Sequence, residues 1–244
     1  VTALVGPNGS GKTTLLLMLA SLLRPDAGSI AIAGADPVSS PAVVRSRVGW
    51  MPDALGAWPS LTARETLAVT GRLYRLSAQR AAARAAELLA VVGLTELADR
   101  PARVLSRGQK QRLGLARALV HDPAVLLLDE PASGLDPQAR IELRSLLRSL
   151  AAGGRTILVS SHVLSELAEI ADDAVFMARG TVVSDGDVAR SSAGDRDWRI
   201  RLLPRPGDPA GTRQLAALLA PAGVYTAAPR RPRGAPAPPP PSCA

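Results

Sequence analysis

The most informative segment of this chain is Gly6-Pro7-Asn8-Gly9-Ser10-Gly11-Lys12-Thr13-Thr14. The apolar run Ala3–Val5 precedes it and predicts a buried strand, and the apolar run Leu15–Ala20 follows it and predicts a helix. A strand, a glycine-rich loop and a helix in this order form the context in which such a spacing binds phosphate. The sequence therefore predicts a phosphate-binding loop in an α/β domain, in preference to a glycine-rich turn before an ordinary helix.

The residue types of this loop suit the phosphate groups of a nucleotide. Glycines allow successive backbone N–H groups to approach phosphate oxygens, because no Cβ is in the way. The following helix directs its positive end, about half an elementary charge, at the same oxygens. Lys12 offers an ammonium to the outer phosphates, and Thr13 offers a hydroxyl to Mg²⁺. Lys12 is one of two lysines among 29 basic residues, so this chain keeps lysine here although it otherwise uses arginine.

The charge of the chain is unevenly distributed. Its 244 residues carry a net charge of +8. Residues 1–189 contain 20 Lys and Arg and 18 Asp and Glu, whereas residues 190–244 contain 9 and 3. The body is therefore nearly neutral, and we expect no nucleic-acid binding by it. The apolar runs are shorter than the length of about 20 residues that spans a bilayer, and the single cysteine, Cys243, excludes an intramolecular disulfide.

Apolar segments alternate with helical patterns along residues 1–188, which predicts an α/β fold with a parallel sheet. Residues 54–122 show no strand pattern and contain the capping-box sequence Thr62-Ala63-Arg64-Glu65, which predicts a helical subdomain. The continuous run Ala124–Leu128 predicts a central strand that is buried on both faces. The other predicted strands are Ser29–Gly34 together with its turn, Val48–Pro52 and Thr156–Ser160.

The two ends of the chain give weaker patterns. The first residue lies almost on the loop, so we expect the N-terminal edge of the domain to precede Val1. Residues 189–225 predict a partial accessory region, in which Trp198–Leu202 alternates like a strand. Residues 226–244 are rich in Pro, Ala and Arg, a composition that cannot bury a core and predicts a disordered tail.

Candidate catalytic groups follow two of the predicted strands. Ligands bind at the carboxyl edge of parallel sheets, which is where Asp129 and Glu130 are expected. We predict that Asp129 holds Mg²⁺ and that Glu130 polarises the attacking water. His162 follows the next strand, and its imidazole could reach the γ-phosphate, with a structural role as the alternative. We assign a structural role to His121.

A further segment, Leu105-Ser106-Arg107-Gly108-Gln109 followed by Lys110–Leu119, resembles the signature motif of the ATP-binding cassette (ABC) proteins. Five motifs occur in the order typical of that family and cover most of residues 1–185. They are Gly6–Thr14, the signature, Leu126–Pro131, Ser133–Asp136 and His162. The resemblance implies a P-loop NTPase fold with a parallel-sheet ATPase core and a helical subdomain, and it implies ATP and Mg²⁺ as ligands.

The resemblance also implies that a second ABC ATPase subunit joins the chain head to tail. Each ATP would lie between Gly6–Thr14 of one cassette and Leu105–Gln109 of the other. Ser106, the Gly108 backbone and a helix expected to open near Gln109 would form the second anion clamp. Asp136 would lie at the interface between the two cassettes and transmit the state of one ATP site to the other.

This chain departs from the family pattern at two positions. Arg107 stands where the family usually has glycine, and we expect its side chain to point outward. Asp53 stands where glutamine is usual, and we expect it to contribute to the ATP site and to offer Mg²⁺ an oxygen beside Thr13 and Asp129. The aromatic residue that stacks on adenine in this family is expected before Val1.

These features predict the ATP-hydrolysing subunit of an ABC transporter, bound peripherally at the cytoplasmic face of the cell membrane. A separate transmembrane permease would supply the pore and contact Leu55–Glu65. Val48–Asp53 and Leu105–Gly108 are similar to cassettes of multidrug-type or polysaccharide-type exporters. Two alternatives stay open: a soluble ABC-type ATPase that acts on ribosomes or DNA, and a regulatory module without turnover, against which Glu130 and His162 argue.

Overall fold

A computed structural model describes residues 1–53, 58–163, 167 and 170–183. The predicted accessory region at 189–225 and the predicted disordered tail at 226–244 lie outside the described residues. Residues 55–57, which belong to the segment predicted to contact a permease, lie outside them as well.

Within the described residues the core is a six-stranded sheet. Its strands are β1 (Thr2–Val5), β2 (Val48–Met51), β3 (Val125–Asp129), β4 (Thr156–Ser161), β5 (Asp173–Ala178) and β6 (Thr181–Val183). They are arranged in the order β2-β3-β4-β1-β5-β6. The first five strands are parallel to their neighbours, and β6 is antiparallel to β5. The predicted parallel sheet is therefore confirmed.

Six helices connect or flank these strands in the described ranges. They are α1 (Lys12–Leu19), α2 (Pro41–Arg47), α3 (Ala63–Leu73), α4 (Ala78–Val91), α5 (Arg107–Ala118) and α6 (Pro137–Ala152), with short 3₁₀ helices at Thr95–Leu97 and Ala102–Val104. The capping box is confirmed, since Thr62 accepts from the Glu65 N–H at 3.1 Å and Glu65 accepts from the Thr62 N–H at 2.8 Å. None of the helices described is long and apolar enough to cross a bilayer.

Strand β3, which lies between β2 and β4, connects two apolar clusters that lie on opposite faces of the sheet. Leu126 and Leu128 pack with residues of α3, α4 and α5, whereas Leu127 packs with residues of α1 and α2. All three leucines are buried. A strand that is covered on both faces needs apolar residues at every position, which explains the continuous run in the sequence.

Two predictions about element boundaries were wrong. Ser29–Gly34 forms no strand; an isolated antiparallel bridge joins Ile32 to Ala35 instead. Ala33 and Gly34 have φ angles of 48° and 79°, so the chain turns back on itself before a strand can extend. The signature helix α5 begins at Arg107 rather than near Gln109, because Ser106 is its N-cap.

Gly49→Ala is expected to lower the free energy of unfolding by about 1–3 kcal/mol, because it overpacks the contact between β2 and α5. A Cβ at Gly49 would overlap the Ala118 carbonyl oxygen and lie 2.7 Å from Leu126 Cδ2. Urea unfolding followed by circular dichroism measures the effect. In the control Gly153→Ala, the nearest atom would lie 3.3 Å from the new Cβ. Equal stability of the two variants would contradict this view of the packing.

Candidate nucleotide-binding site

The sheet brings the predicted site residues to one edge. Strand β4 lies between β3 and β1. Its register places Ser160 opposite Asp129 and Ser161 opposite Val5. The phosphate loop, the two acidic residues and His162 therefore all follow the carboxyl ends of neighbouring strands, where parallel sheets bind ligands.

The phosphate loop has a backbone that requires glycine. Gly9 and Gly11 have φ angles of 80° and 102°, a region that other residues rarely adopt. A Cβ at Gly6 would overlap the carbonyl oxygen of Met177, so the loop packs tightly against β5. The Gly180 N–H, in the turn between β5 and β6, donates to the Ser10 carbonyl at 2.9 Å. The turn thus holds the loop from the side that faces away from Asp129.

Lys12 and Ser10 present polar groups to the interior of this loop. The Lys12 Nζ donates to the carbonyls of Gly6 and Pro7 at 2.7 and 3.3 Å, and the residue is 6% exposed. The Ser10 hydroxyl is buried without a hydrogen-bond partner among the described residues. Buried polar atoms are normally satisfied. An unpaired hydroxyl beside a buried ammonium fits a loop whose partner is the phosphate of a nucleotide.

Asp129 is a buried carboxylate that receives two hydroxyl hydrogen bonds. Thr13 Oγ1 donates to Asp129 Oδ2 at 2.7 Å, and Ser160 Oγ donates to Oδ1 at 2.5 Å. The described residues contain no group of three or more His, Cys, Asp and Glu side chains that could hold a metal. One carboxylate and one hydroxyl fit Mg²⁺, which keeps several waters and takes further oxygens from substrate phosphates.

Glu130 lies between the phosphate loop and His162. Its Oε1 is 3.9 Å from Lys12 Nζ, and its Oε2 is 2.9 Å from His162 Nδ1. The backbone at Glu130 has φ 51°, a costly conformation for a residue with a side chain, and such strain concentrates at functional sites. Ser160 Oγ accepts from the Glu130 N–H at 3.0 Å and holds this bend.

Sequence reasoning missed Ser160 and Gln111 as parts of the site. Ser160 is fully buried and joins Asp129 to Glu130, and Gln111 is 3% exposed with its Nε2 3.5 Å from the Glu130 carbonyl. A buried polar residue at the end of an apolar strand is the signal that could have identified Ser160. Nothing local identifies Gln111, because its contact depends on how α5 packs against β3.

Asp53 and His121 both lie apart from the phosphate loop. Asp53 is exposed two residues after β2, at the same edge of the sheet, and no hydrogen bond or ion pair of its side chain is found in the described part of the chain. His121 stacks on Tyr74 with ring centroids 3.8 Å apart, and its Nε2 lies 3.0 Å from the Val48 carbonyl at the opposite end of β2. Burial lowers the pKa of His121, which agrees with a neutral structural residue.

The signature residues form the start of α5. Ser106 caps the helix in a reciprocal pair with Gln109, at 3.2 and 2.9 Å. Leu105 is buried, whereas Ser106 and Arg107 are exposed and Gly108 is partly buried. The Arg107 side chain was expected to point outward. The residue is exposed, but its guanidinium also donates to Ser133 Oγ at 3.0 Å. Within the described residues, no hydrogen bond or ion pair joins Leu105–Gln109 to Gly6–Thr14.

Asp136 lies immediately before helix α6. Its Oδ1 accepts from the Ala139 N–H at 2.9 Å, so it is the N-cap of α6. The residue is exposed, and it follows the turn that begins at Glu130. The start of α5 and the start of α6 are therefore both capped next to the acidic end of β3.

Ser160→Ala is expected to lower the free energy of unfolding by about 1–3 kcal/mol, because the Glu130 N–H and one oxygen of Asp129 would lose their partner in a buried setting. Chemical unfolding measures this change. Thr156→Ala is the matched control, since Thr156 is exposed on the same strand. Equal unfolding midpoints for the two variants would show that Ser160 does not hold the acidic pair.

Comparison with known proteins identifies relatives that are named for resistance or export. Residues 1–133 match the family model described as ABC transporter. The daunorubicin resistance ATP-binding protein DrrA3 of Streptomyces coeruleorubidus is 39% identical over 85% of this chain and 70% of that protein. The Nod factor export ATP-binding protein I of Burkholderia orbicola is 47% identical over 75% of this chain and 60% of that protein. The predicted resemblance to exporter-type cassettes is confirmed.

A solved structure supports the same assignment. The chain resembles a dimeric post-hydrolysis structure of the ATP-binding cassette MJ0796 bound to ADP and Pi, with a TM-score of 0.69 and 27% identity. The match covers 75% of this chain and 83% of that chain. The predicted fold, a parallel-sheet ATPase core with a helical subdomain, is therefore confirmed. This chain belongs to the ABC transporter family and is one of its ATP-binding cassettes.

Proposed function

We propose that this chain is the ATP-hydrolysing subunit of an exporter and drives transport through a separate membrane permease. The observation that carries the proposal is the position of Glu130, between Lys12 and His162 and directly after Asp129. A carboxylate beside a phosphate loop, oriented by an imidazole, is suited to polarise the water that attacks a bound nucleotide.

The residues of the loop hold the triphosphate in this proposal. Backbone N–H groups of Gly6–Thr14 and the start of α1 bind phosphate oxygens, and the Lys12 ammonium neutralises the outer phosphates. Thr13 and Asp129, with Asp53 at the same edge, would hold Mg²⁺, which neutralises charge on the phosphates when it is bound. His162 holds Glu130 through its Nδ1, and its imidazole would reach the γ-phosphate.

A second cassette completes the site in this proposal. Leu105–Gln109 lies outside the hydrogen-bonding reach of its own phosphate loop in the described structure, so it is available to another nucleotide. Ser106 and the start of α5 would bind the phosphates held by the partner cassette. The dimeric solved relative supports this arrangement. ATP then bridges the two chains, and its hydrolysis removes the bridge.

A permease partner is supported by two relatives, which are named for daunorubicin resistance and for Nod factor export. The segment Leu55–Glu65 is the proposed contact, and its described part begins at Trp58. The Trp58 ring is 41% exposed, and the Arg117 guanidinium lies 5.7 Å from the ring centre. Binding there would place the cassette on the cytoplasmic face of the membrane.

Glu130→Gln is expected to retain ATP binding and to lower the rate of hydrolysis by about 10²- to 10⁴-fold. The amide keeps the size of the side chain but cannot act as the base. Phosphate release and nucleotide affinity are measured separately on the purified chain. Glu87→Gln is the control, since Glu87 is exposed on α4 in an ion pair with Arg84. Undiminished turnover in the Glu130 variant would remove that residue from the proposed chemistry.

Fractionation of cell extracts is expected to recover the chain with the membranes, since the permease would hold it there. Washing at high pH, with the bilayer left intact, is expected to release it, as for a peripheral subunit. Recovery with ribosomes or DNA would instead favour the soluble ABC-type ATPase. The near neutrality of residues 1–189 makes a nucleic-acid partner a weaker proposal.

A further inference from the structure

Arg107 lies against a loop that it is not adjacent to in sequence. Its Nη2 donates to Ser133 Oγ at 3.0 Å. A Cβ at Gly134 would lie 2.5, 2.8 and 2.9 Å from Nε, Cζ and Cδ of Arg107, so the guanidinium covers this glycine closely. Gly134 also has φ 70°, which favours glycine by itself. The arginine that replaces the family's usual glycine is therefore packed against the loop after β3.

The same loop is hydrogen-bonded to Glu130. The Ser133 N–H donates to the Glu130 carbonyl at 3.0 Å, and the Leu135 N–H donates to the Ala132 carbonyl at 3.2 Å. Leu135 is 6% exposed, and its Cδ2 lies 3.3 Å from the position of a Cβ at Gly108. The first of these two turns thus connects Ser133, the residue that Arg107 binds, to the backbone of Glu130.

Helix α5 also contacts Glu130 at a second point. Gln111, one turn after Arg107, is buried and directs its Nε2 to the Glu130 carbonyl at 3.5 Å. The first turns of α5 therefore touch both ends of the same loop, through Arg107 at Ser133–Gly134 and through Gln111 at Glu130. A displacement of the start of α5 can therefore shift the backbone of Glu130 through either of these two contacts.

We propose that Arg107 is a positioning residue that couples the nucleotide bound at the signature to the Glu130 carboxylate of its own chain. The inference rests on the proposed dimer, in which the start of α5 binds the partner's ATP. When that ATP draws the start of α5 into place, Arg107 moves the Ser133–Gly134 backbone with it. Glu130, which is tied to Ser133, then adopts its working orientation. Nucleotide bound at the signature thereby orients the Glu130 that acts on the chain's own nucleotide.

The guanidinium is suited to this coupling in a way that lysine is not. Its planar face covers the Gly134 backbone while one N–H binds Ser133, so a single side chain fixes both residues. An ammonium can keep the hydrogen bond but has no planar face. Arg107→Lys is therefore expected to recover part of the coupling, whereas Arg107→Ala is expected to lose it.

A double-mutant cycle of Arg107→Ala and Ser133→Ala tests the proposal. Each single variant is expected to lower kcat by about 2- to 30-fold and to bring the Hill coefficient for ATP down to about 1. The kcat of the double variant is expected to be little lower than that of either single variant, because both substitutions remove the same hydrogen bond. The affinity of the isolated chain for nucleotide should not change, since Arg107 makes no contact with its own phosphate loop in the described structure. Arg103→Ala is the control, as an exposed arginine before the same helix.

Hydrogen exchange at the Ser133 amide gives a readout that does not depend on turnover. This amide is bonded to the Glu130 carbonyl and is expected to exchange at least several-fold faster in Arg107→Ala, with an unchanged unfolding midpoint. Unchanged exchange at Ser133, or strictly additive losses of kcat in the cycle, would overturn the inference. Absence of hydrolysis by the unaltered chain would overturn the proposed function instead, and the exchange experiment would still decide the role of Arg107.

Discussion

The hydroxyl of Ser160 is the interaction on which the acidic end of the site depends. It donates to Asp129 and accepts from the Glu130 N–H, so one side chain of β4 fixes the last residue of β3 and the residue that follows it. The same strand pairs on its other side with β1, which leads into the phosphate loop. Strand β4 therefore sets the spacing between the groups that would bind phosphate and the groups that would act on it.

The sequence predicted the elements whose signals lie within a few neighbouring residues. The phosphate loop, the capping box at Thr62 and the buried run Leu126–Leu128 all belong to this group, because each depends on local backbone geometry or on burial of one strand. The order of the motifs along the chain then sufficed to indicate the family.

The features that the sequence did not predict depend on residues that are far apart in the chain. Ser160 and Asp129 are 31 positions apart in the sequence. Ser160 acquires its role because the register of β3 against β4 places the two residues side by side. Ser29–Gly34 looks like a strand by composition, but the described sheet provides no neighbour for it. Arg107 was expected to point outward, and its contact with Ser133 becomes visible only when α5 is packed beside the loop after β3.

The central claim is that ATP joins two copies of this cassette, with each signature bound to the nucleotide of the other. Light scattering of the purified chain with a non-hydrolysable ATP analogue and Mg²⁺ tests it most directly. The molar mass is expected to rise from that of one chain to that of two at saturating nucleotide. A molar mass that stays at that of one chain at saturating nucleotide would rule it out.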